Sequence, residues 1–438
     1  MENFYLVRWL KENSGLDPDL IDSLTYDLDK RIYYYGEQFS SPFERPGLRR
    51  AMDGLKSWTR EKVLPYKKMR AFCPSAGTVN ISSNAYSRFN EILCENGFSV
   101  RPAPWQLSGL KSADSKLKSL LTRIKAVLDL GDFKDLIAVD FASDIAALRR
   151  SLKAYYERED IKVLIVPYDM PFFEKLAIKV FKELGRPSIV ALHGLPGRYN
   201  SIDDNRADYL FVWGNKIKEY YARAGVDPGK IFVTGHPGYA QASPGIFRFS
   251  LENVLVISKS MNGGQHSDKE ILSDRGNVIL YLNLIRSVLR KNGISRARLR
   301  LHPSESAEWY RRFLPGNFYK FDRASLQDSL SGASLVIGPT STVFLESLMA
   351  GVDYLVYEPV CNGLDLMNYR LVPPFDGSEP GIPVANSEED LQRFLIGRKT
   401  VNPDVVGGYL NPSLDLASLQ TILRNTSGGN VKKGGKAV

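Results

Sequence analysis

Cysteine is the scarcest reactive residue of this 438-residue chain: Cys73, Cys94 and Cys361 are odd in number and far apart. Neither a disulfide framework nor a thiolate zinc site is expected from that spacing, and a reducing cytoplasmic compartment is. Long apolar runs are also missing. None approaches the ~20 residues that a membrane-spanning helix needs. The N-terminal stretch mixes Arg8, Lys11 and Glu12 with apolar residues and does not read as a signal peptide. An acidic excess is absent: 58 basic residues face 49 acidic ones, for a net charge of +9. That balance favours an anionic partner such as a nucleotide or an anionic membrane surface. No arginine-rich block accompanies it, because the basic residues are dispersed apart from Lys432, Lys433 and Lys436. No solenoid repeat is visible. Histidine is nearly as rare as cysteine, with only His193, His236, His266 and His302.

What is present is alternation. Hydrophobic residues make up 43% of the chain, enough to fill two or three domain cores. Residues 1–66 read as a helical segment of the first domain, with Asp27-Leu-Asp29 and Tyr33-Tyr-Tyr35 in a helical pattern. From 67 to 245, short buried strands alternate with amphipathic helices. Strands are expected at 69–73, 98–101, 162–166, 188–192, 207–213 and 231–234, with helices over 85–96, 117–130, 144–157 and 171–184. Residues 238–250 break the pattern and read as a linker. A second series runs from 246 to 400, with strands near 253–258, 298–301, 318–321, 335–337 and 352–357 and a long helix near 268–291. Residues 401–438 form a return segment ending in a flexible Gly/Lys tail. Such alternation argues parallel sheets with right-handed crossovers, hence an α/β chain of two Rossmann-like domains facing across a cleft.

Ligands of open α/β sheets sit beyond the carboxyl ends of the strands, and all four histidines fall there. In the second domain, the strand at 335–337 stops at Gly338-Pro339, three hydroxyl residues follow (Thr340, Ser341, Thr342), and a helix pattern begins. Hydroxyls at a strand-to-helix junction suit a phosphate, as they also suit an ordinary helix cap. With His302-Pro303 at an upstream strand end, the phosphate reading is preferred. Lys259 is the candidate to balance its charge. Gly263, Gly264 and His266 allow close approach in the same loop, and Glu305 is a candidate for a ribose hydroxyl. The first domain supplies a long polar loop from His193 to Arg206. Within it Asp203 and Asp204, with His193 at its start and Asp169 behind, are candidates for base, acid or nucleophile. No metal motif is complete, so no metal or other cofactor is expected.

These motifs resemble a known family. His302-Pro303 with Ser341-Thr342 in the second half of the chain is similar to the CMP-binding pattern of GT-B transferases that use CMP-activated ulosonic or sialic acids. The fuller set comprises His193-Gly-x-Pro with Asp203-Asp204, the Gly235-His-Pro turn, and Gly338-Pro-Thr-Ser-Thr with Glu346. It resembles the β-Kdo transferases of capsule and lipopolysaccharide O-antigen assembly. The resemblance covers about residues 160–360. It implies a GT-B fold, CMP-Kdo as donor held by the His-Pro and Ser-Thr motifs, and a retaining reaction with Asp203 or Asp204 as nucleophile. It also implies a lipid-linked or oligosaccharide acceptor, with peripheral contact at the inner face of the cytoplasmic membrane and no nucleic-acid partner. Asn205 departs from the Asp-Asp/Glu-Gly motif of sialyltransferases. Other readings of the same residues are a CMP-sialic acid transferase, a CDP-polyol phosphotransferase, or a non-catalytic basic module binding nucleotide or RNA.

Overall fold

The computed structural model describes residues 5–13, 15–33, 79–130, 133–195, 206–239, 247, 249–259, 265–266, 271–272, 275–302, 305, 307–314, 316–367 and 375–428. Two amphipathic helices open it, α1 (Tyr5–Asn13) and α2 (Pro18–Tyr33), and bury Leu10, Ile21 and Leu24 against the first domain. The first sheet has β1 (Asn80–Ser83) and β2 (Ser99–Pro102), then the long helix α3 (Val139–Arg158) and β3 (Ile161–Val166). It continues with α4 (Phe172–Glu183), β4 (Ser188–Ala191), β5 (Tyr209–Val212), α5 (Asn215–Arg223) and β6 (Ile231–Val233). All neighbours are parallel, in the order β2-β1-β3-β4-β5-β6. The strand order therefore reverses at β1, and the crevice between the carboxyl ends of β1 and β3 is its switch point.

The second sheet begins with β7 (Val254–Ile257) and continues through α6 (Arg275–Lys291), β8 (Ala297–Arg300) and β9 (Tyr319–Phe321). It is completed by β10 (Leu335–Gly338), α7 (Val343–Met349), β11 (Tyr354–Tyr357) and β12 (Val384–Ala385). Its order is β9-β8-β7-β10-β11-β12, parallel throughout. Numbered within the domain this is 3-2-1-4-5-6, the order of dinucleotide-binding sheets, with its switch point between β7 and β10. The chain is thus α/β of GT-B type, two Rossmann-like domains with a helical N-terminal addition. Strands β7, β10 and β11 are buried at every residue, so they read as unbroken Val/Ile/Leu/Tyr runs rather than as alternation.

Two local expectations change. Strand β1 is Asn-Ile-Ser-Ser, which sequence composition places in a loop, yet Ser82 and Ser83 are buried in the sheet. Backbone pairing on both sides outweighs the weak strand preference of Asn and Ser. The helix expected near 268–291 begins only at Arg275, after a short antiparallel ladder of Gln265–His266 with Ile271–Leu272. The expected strand at 69–73 lies outside the described residues.

The last helix, α8 (Ala417–Gly428), returns to the first domain. Leu416, Leu419 and Ile422 pack with Ile81, Phe89, Val163 and Phe211 on one face of its sheet. The preceding segment is threaded across the ends of β5 and β6. The Asn411 amide donates to the Trp213 carbonyl (2.7 Å), and the Asp415 amide to Thr234 (2.9 Å). Gly235 makes this crossing close. Its φ is +78°, and a Cβ there would stand 2.4 Å from the Ser413 carbonyl oxygen. Gly235→Ala combines left-handed strain with a backbone clash, and should destabilise the chain by about 2–4 kcal/mol. A lower urea midpoint than wild type would show it; an unchanged midpoint would mean that the return segment is not held there.

Candidate functional site

The carboxyl edge of the second sheet gathers the candidate phosphate-binding groups at its switch point. Strand β7 delivers Ser258 and Lys259, β8 delivers His302, and β10 delivers Gly338, Pro339 and the hydroxyl loop. Tyr354 on β11 is fully buried and its hydroxyl donates to the Pro339 carbonyl (2.6 Å), pinning the loop at its start. The Thr340 amide donates to Glu358 Oε1 (2.5 Å), and the Thr340 carbonyl accepts from Lys259 Nζ (2.8 Å). Burial pulls the Lys259 ammonium down to about 8, with Glu358 opposing the fall. Lys259 was the expected counter-charge to a phosphate. It reaches beneath the loop and holds the backbone through the Thr340 carbonyl.

The loop hydroxyls are oriented by the same logic. Ser341 Oγ accepts from the Val343 amide (3.3 Å), and Thr342 Oγ1 accepts from the Leu195 amide (3.1 Å) of the opposite domain. A hydroxyl that accepts from an amide keeps its own O–H for a further acceptor. Ser341 and Thr342 therefore each retain an O–H that can donate. Thr340 is only 8% exposed, and its Oγ1 has no hydrogen-bond partner among the described residues. The bonds Phe344 N to Ser341 O (3.1 Å) and Leu345 N to Thr342 O (3.0 Å) tighten the first turn of α7.

His302 is exposed at the end of β8, with its amide held by Ser258 Oγ and Glu305 Oε2 (3.1 Å each). Partial burial and then the Lys259 charge lower its pKa, so the ring is neutral at pH 7 and donates from one nitrogen. Beside it opens a cavity of about 290 Å³ between the ends of β8 and β9, walled by Arg300, His302, Phe321 and Arg323. Glu305 does not offer a carboxylate to a ribose as expected. One oxygen accepts from Tyr310, the other from Ser258 and the His302 amide, so the group organises the His-Pro turn. Gly338 also differs: it admits Tyr354 rather than a ligand, since a Cβ there would lie 2.1 Å from the tyrosine oxygen.

From the first domain, His193 stands at the end of β4, exposed, with Nδ1 donating to the Pro167 carbonyl (2.9 Å) and its ring edge-on to Tyr168. A carbonyl only accepts, so the proton sits on Nδ1 and Nε2 carries a lone pair. Desolvation lowers the ring's pKa, and the Pro167 bond partly offsets it. The next two residues touch the hydroxyl loop through Leu195 and Thr342, so His193 and the Ser341–Thr342 hydroxyls are brought to one interface.

Asp169, a catalytic candidate in the sequence, holds backbone through one of its oxygens. It is 0% exposed, and Oδ2 accepts from the amides of Arg206 (2.8 Å) and Ala207 (3.2 Å), clamping the entry to β5. His236, a rim histidine in the sequence reading, is a packing residue. It stacks on Tyr239 and Tyr86 and abuts Trp213 edge-on, its Nδ1 accepts from the Gly238 amide, and burial lowers it to about 4. Asp203, Asp204, Pro303, Gly263 and Gly264 lie outside the described residues, as does the side chain of His266.

One contact across the domain boundary had no sequence assignment. Glu346, in the first turn of α7, is hydrogen-bonded to the Tyr239 hydroxyl across the domain boundary, and burial raises its pKa. The motif Gly338–Glu346 contains it, but nothing in the sequence pairs it with a tyrosine more than a hundred residues upstream.

No family model matches the chain, and no curated protein matches it. Solved structures do. The UDP-GlcNAc 2-epimerase of Methanocaldococcus jannaschii, in complex with UDP-GlcNAc and UDP, is 12% identical over 80% of this chain and 99% of its own, with a TM-score of 0.46. The UDP-GlcNAc 2-epimerase of Neisseria meningitidis is 11% identical, covering 79% and 99%, also at 0.46. A lipopolysaccharide outer core galactosyltransferase is 10% identical, covering 80% and 98%, at 0.38. At scores this low the likeness carries no inference about chemistry, which has to come from this chain's own residues.

Proposed function

We propose that the chain is a glycosyltransferase that moves Kdo from CMP-Kdo to a hydroxyl of a bacterial surface-glycan acceptor. The observation that supports this reading is the Leu195 amide bond to Thr342 Oγ1 (3.1 Å), which sets the segment following His193 against the Ser341–Thr342 loop, with His302 at the end of β8 on the same carboxyl edge of the second sheet. In this reading the O–H groups of Ser341 and Thr342 and the N–H of His302 hold the CMP phosphate. The cavity beside His302 takes part of the nucleoside, and Glu346 takes over the hydroxyl-binding role first assigned to Glu305. The anomeric C–O bond to phosphate breaks with its electron pair leaving on CMP. The acceptor hydroxyl forms the new bond and gives its proton to Nε2 of His193. In this retaining two-step route Asp203 or Asp204, in the loop that His193 begins, is the proposed nucleophile: its carboxylate bonds the anomeric carbon as CMP leaves, and departs with that electron pair when the acceptor oxygen bonds the same carbon.

The CMP and Kdo parts of the reading are supported by the motif resemblance, His302-Pro303 with Ser341-Thr342 and His193-Gly-x-Pro with the paired Asp residues. Partners in this reading are the CMP-sugar and a lipid-linked or oligosaccharide acceptor at the inner membrane face. No helix among the described residues is long and apolar enough to cross a membrane.

Thermal unfolding tests the reading first. A ligand that binds only the folded state stabilises it by RT ln(1 + [L]/Kd), so CMP at hundreds of micromolar should raise the midpoint and UMP or AMP should not. His302→Ala should abolish the CMP shift. A wild-type protein indifferent to CMP would sink the proposal, and NMR of the product formed from CMP-Kdo would identify sugar and linkage.

A further inference from the structure

The first domain holds a second cavity that shares no residue with this site. It measures about 460 Å³ and opens on the helical layer between α2, α3 and α4. Room of this size between packed helices exceeds an ordinary packing void. Its cause is visible in the sequence of α3, where Ala142 and Ala146 follow each other at helical spacing and leave the groove unfilled. The floor is apolar, made by Leu20, Ile145 and Leu176, of which the last two are buried.

The rim is charged, and its charges do not cancel. Arg149 is spent on Glu183 (2.7 Å), and Lys179 on Asp19 (3.0 Å). Asp17 accepts from the Asp19 amide (2.9 Å) at the start of α2. Arg150 and Lys153, one turn apart on α3, have no carboxylate partner among the described residues. A concave apolar surface with two uncompensated cations at one end fits a ligand that is itself apolar at one end and anionic at the other. Arg150 adds the planar donors that suit a phosphate.

We propose that this groove is a binding site for an alkyl phosphate, with the chain on Leu20, Ile145 and Leu176 and the phosphate between Arg150 and Lys153. The site does not depend on what the interdomain cleft binds. Two sources carry this chemistry, a free single-chain amphiphile and the headgroup region of an anionic lipid, and the test separates them.

The full chain is titrated calorimetrically with decyl phosphate below its micellar concentration, alongside inorganic phosphate and decyl maltoside. Decyl phosphate should bind with a 1:1 stoichiometry, and each of the other two at least about tenfold more weakly. Arg150→Glu with Lys153→Glu, both at the rim, should weaken decyl phosphate by about tenfold or more, and Ala146→Trp should abolish binding by filling the groove. If Ala146→Trp disturbs folding by circular dichroism, the charge-reversal pair decides alone. Inorganic phosphate binding as tightly as decyl phosphate, decyl maltoside doing so, or variants binding like wild type would each overturn the proposal. Flotation with phosphatidic acid vesicles, lost in the charge-reversed variant, identifies the lipid source. Decyl phosphate binding without flotation identifies the free amphiphile.

Discussion

His193→Ala is expected to lower kcat by about 10²–10⁴-fold while leaving the CMP-induced thermal shift intact. The magnitude follows from the role the ring's environment allows. Nδ1 is committed to the Pro167 carbonyl, so the tautomer is fixed and Nε2 is left as the acceptor. Removing it takes away proton transfer and leaves the phosphate-holding groups of the second sheet untouched. Asparagine, which preserves a polar group but no comparable base, should be nearly as poor. The pH dependence has a definite sign. Desolvation lowers the imidazole pKa below its ordinary value of 6.5, so the neutral, active form persists into mildly acidic solution. The acid limb of kcat should therefore fall below pH 6.5 rather than above it, and should vanish in any residual activity of the alanine variant. A kcat within a factor of a few of wild type would remove His193 from the chemistry.

Gly338→Ala should damage both stability and donor binding, although a methyl group is the smallest side chain that can be added. The Cβ would fall 2.1 Å from the Tyr354 oxygen and 2.7 Å from its Cζ, and Tyr354 is wholly buried with no room to retreat. Displacing that ring also breaks its bond to the Pro339 carbonyl, and hence the anchor of the Thr340–Thr342 loop. Overpacking of about 1–3 kcal/mol with a lost hydrogen bond near 1 kcal/mol predicts about 2–4 kcal/mol of destabilisation. Tyr354→Phe separates the terms: it lacks the anchoring hydroxyl but keeps the packing. It should cost about 1 kcal/mol of stability while still weakening CMP binding. If Gly338→Ala unfolds at the wild-type midpoint, Tyr354 does not occupy the position that pins the loop.

Much of the fold was legible because buried parallel strands write themselves as unbroken apolar runs. The second sheet is the clearest case, with Val-Leu-Val-Ile at β7 and Tyr-Leu-Val-Tyr at β11 bounded by turn residues. Strand β1 was not, since its stability comes from pairing with β2 and β3 rather than from its own Asn and Ser side chains. The site divides the same way. Strand ends and hydroxyl positions follow from local patterns, so the places of His193, His302 and the Ser341–Thr342 pair at the ends of strands were readable. What each side chain bonds to depends on residues distant in sequence. Asp169 meets the amides of Arg206 and Ala207, Glu305 meets Ser258, and Lys259 meets Thr340. In all three a charged group that looked available to a ligand was already engaged in holding backbone or loop in place.

The return of α8 to the first domain has a consequence for synthesis. The six strands of the first sheet leave the ribosome long before residues 411–428, yet Ile81, Val163 and Phe211 are covered by that last stretch. At ~5–20 residues per second, the interval between β6 and α8 is on the order of ten seconds or more, during which that sheet face waits for its cover. The first domain of this protein is begun first and finished last. A nascent chain halted before residue 411 should expose an apolar sheet face to chaperones, and the first half of the gene does not encode a unit that could fold to completion by itself.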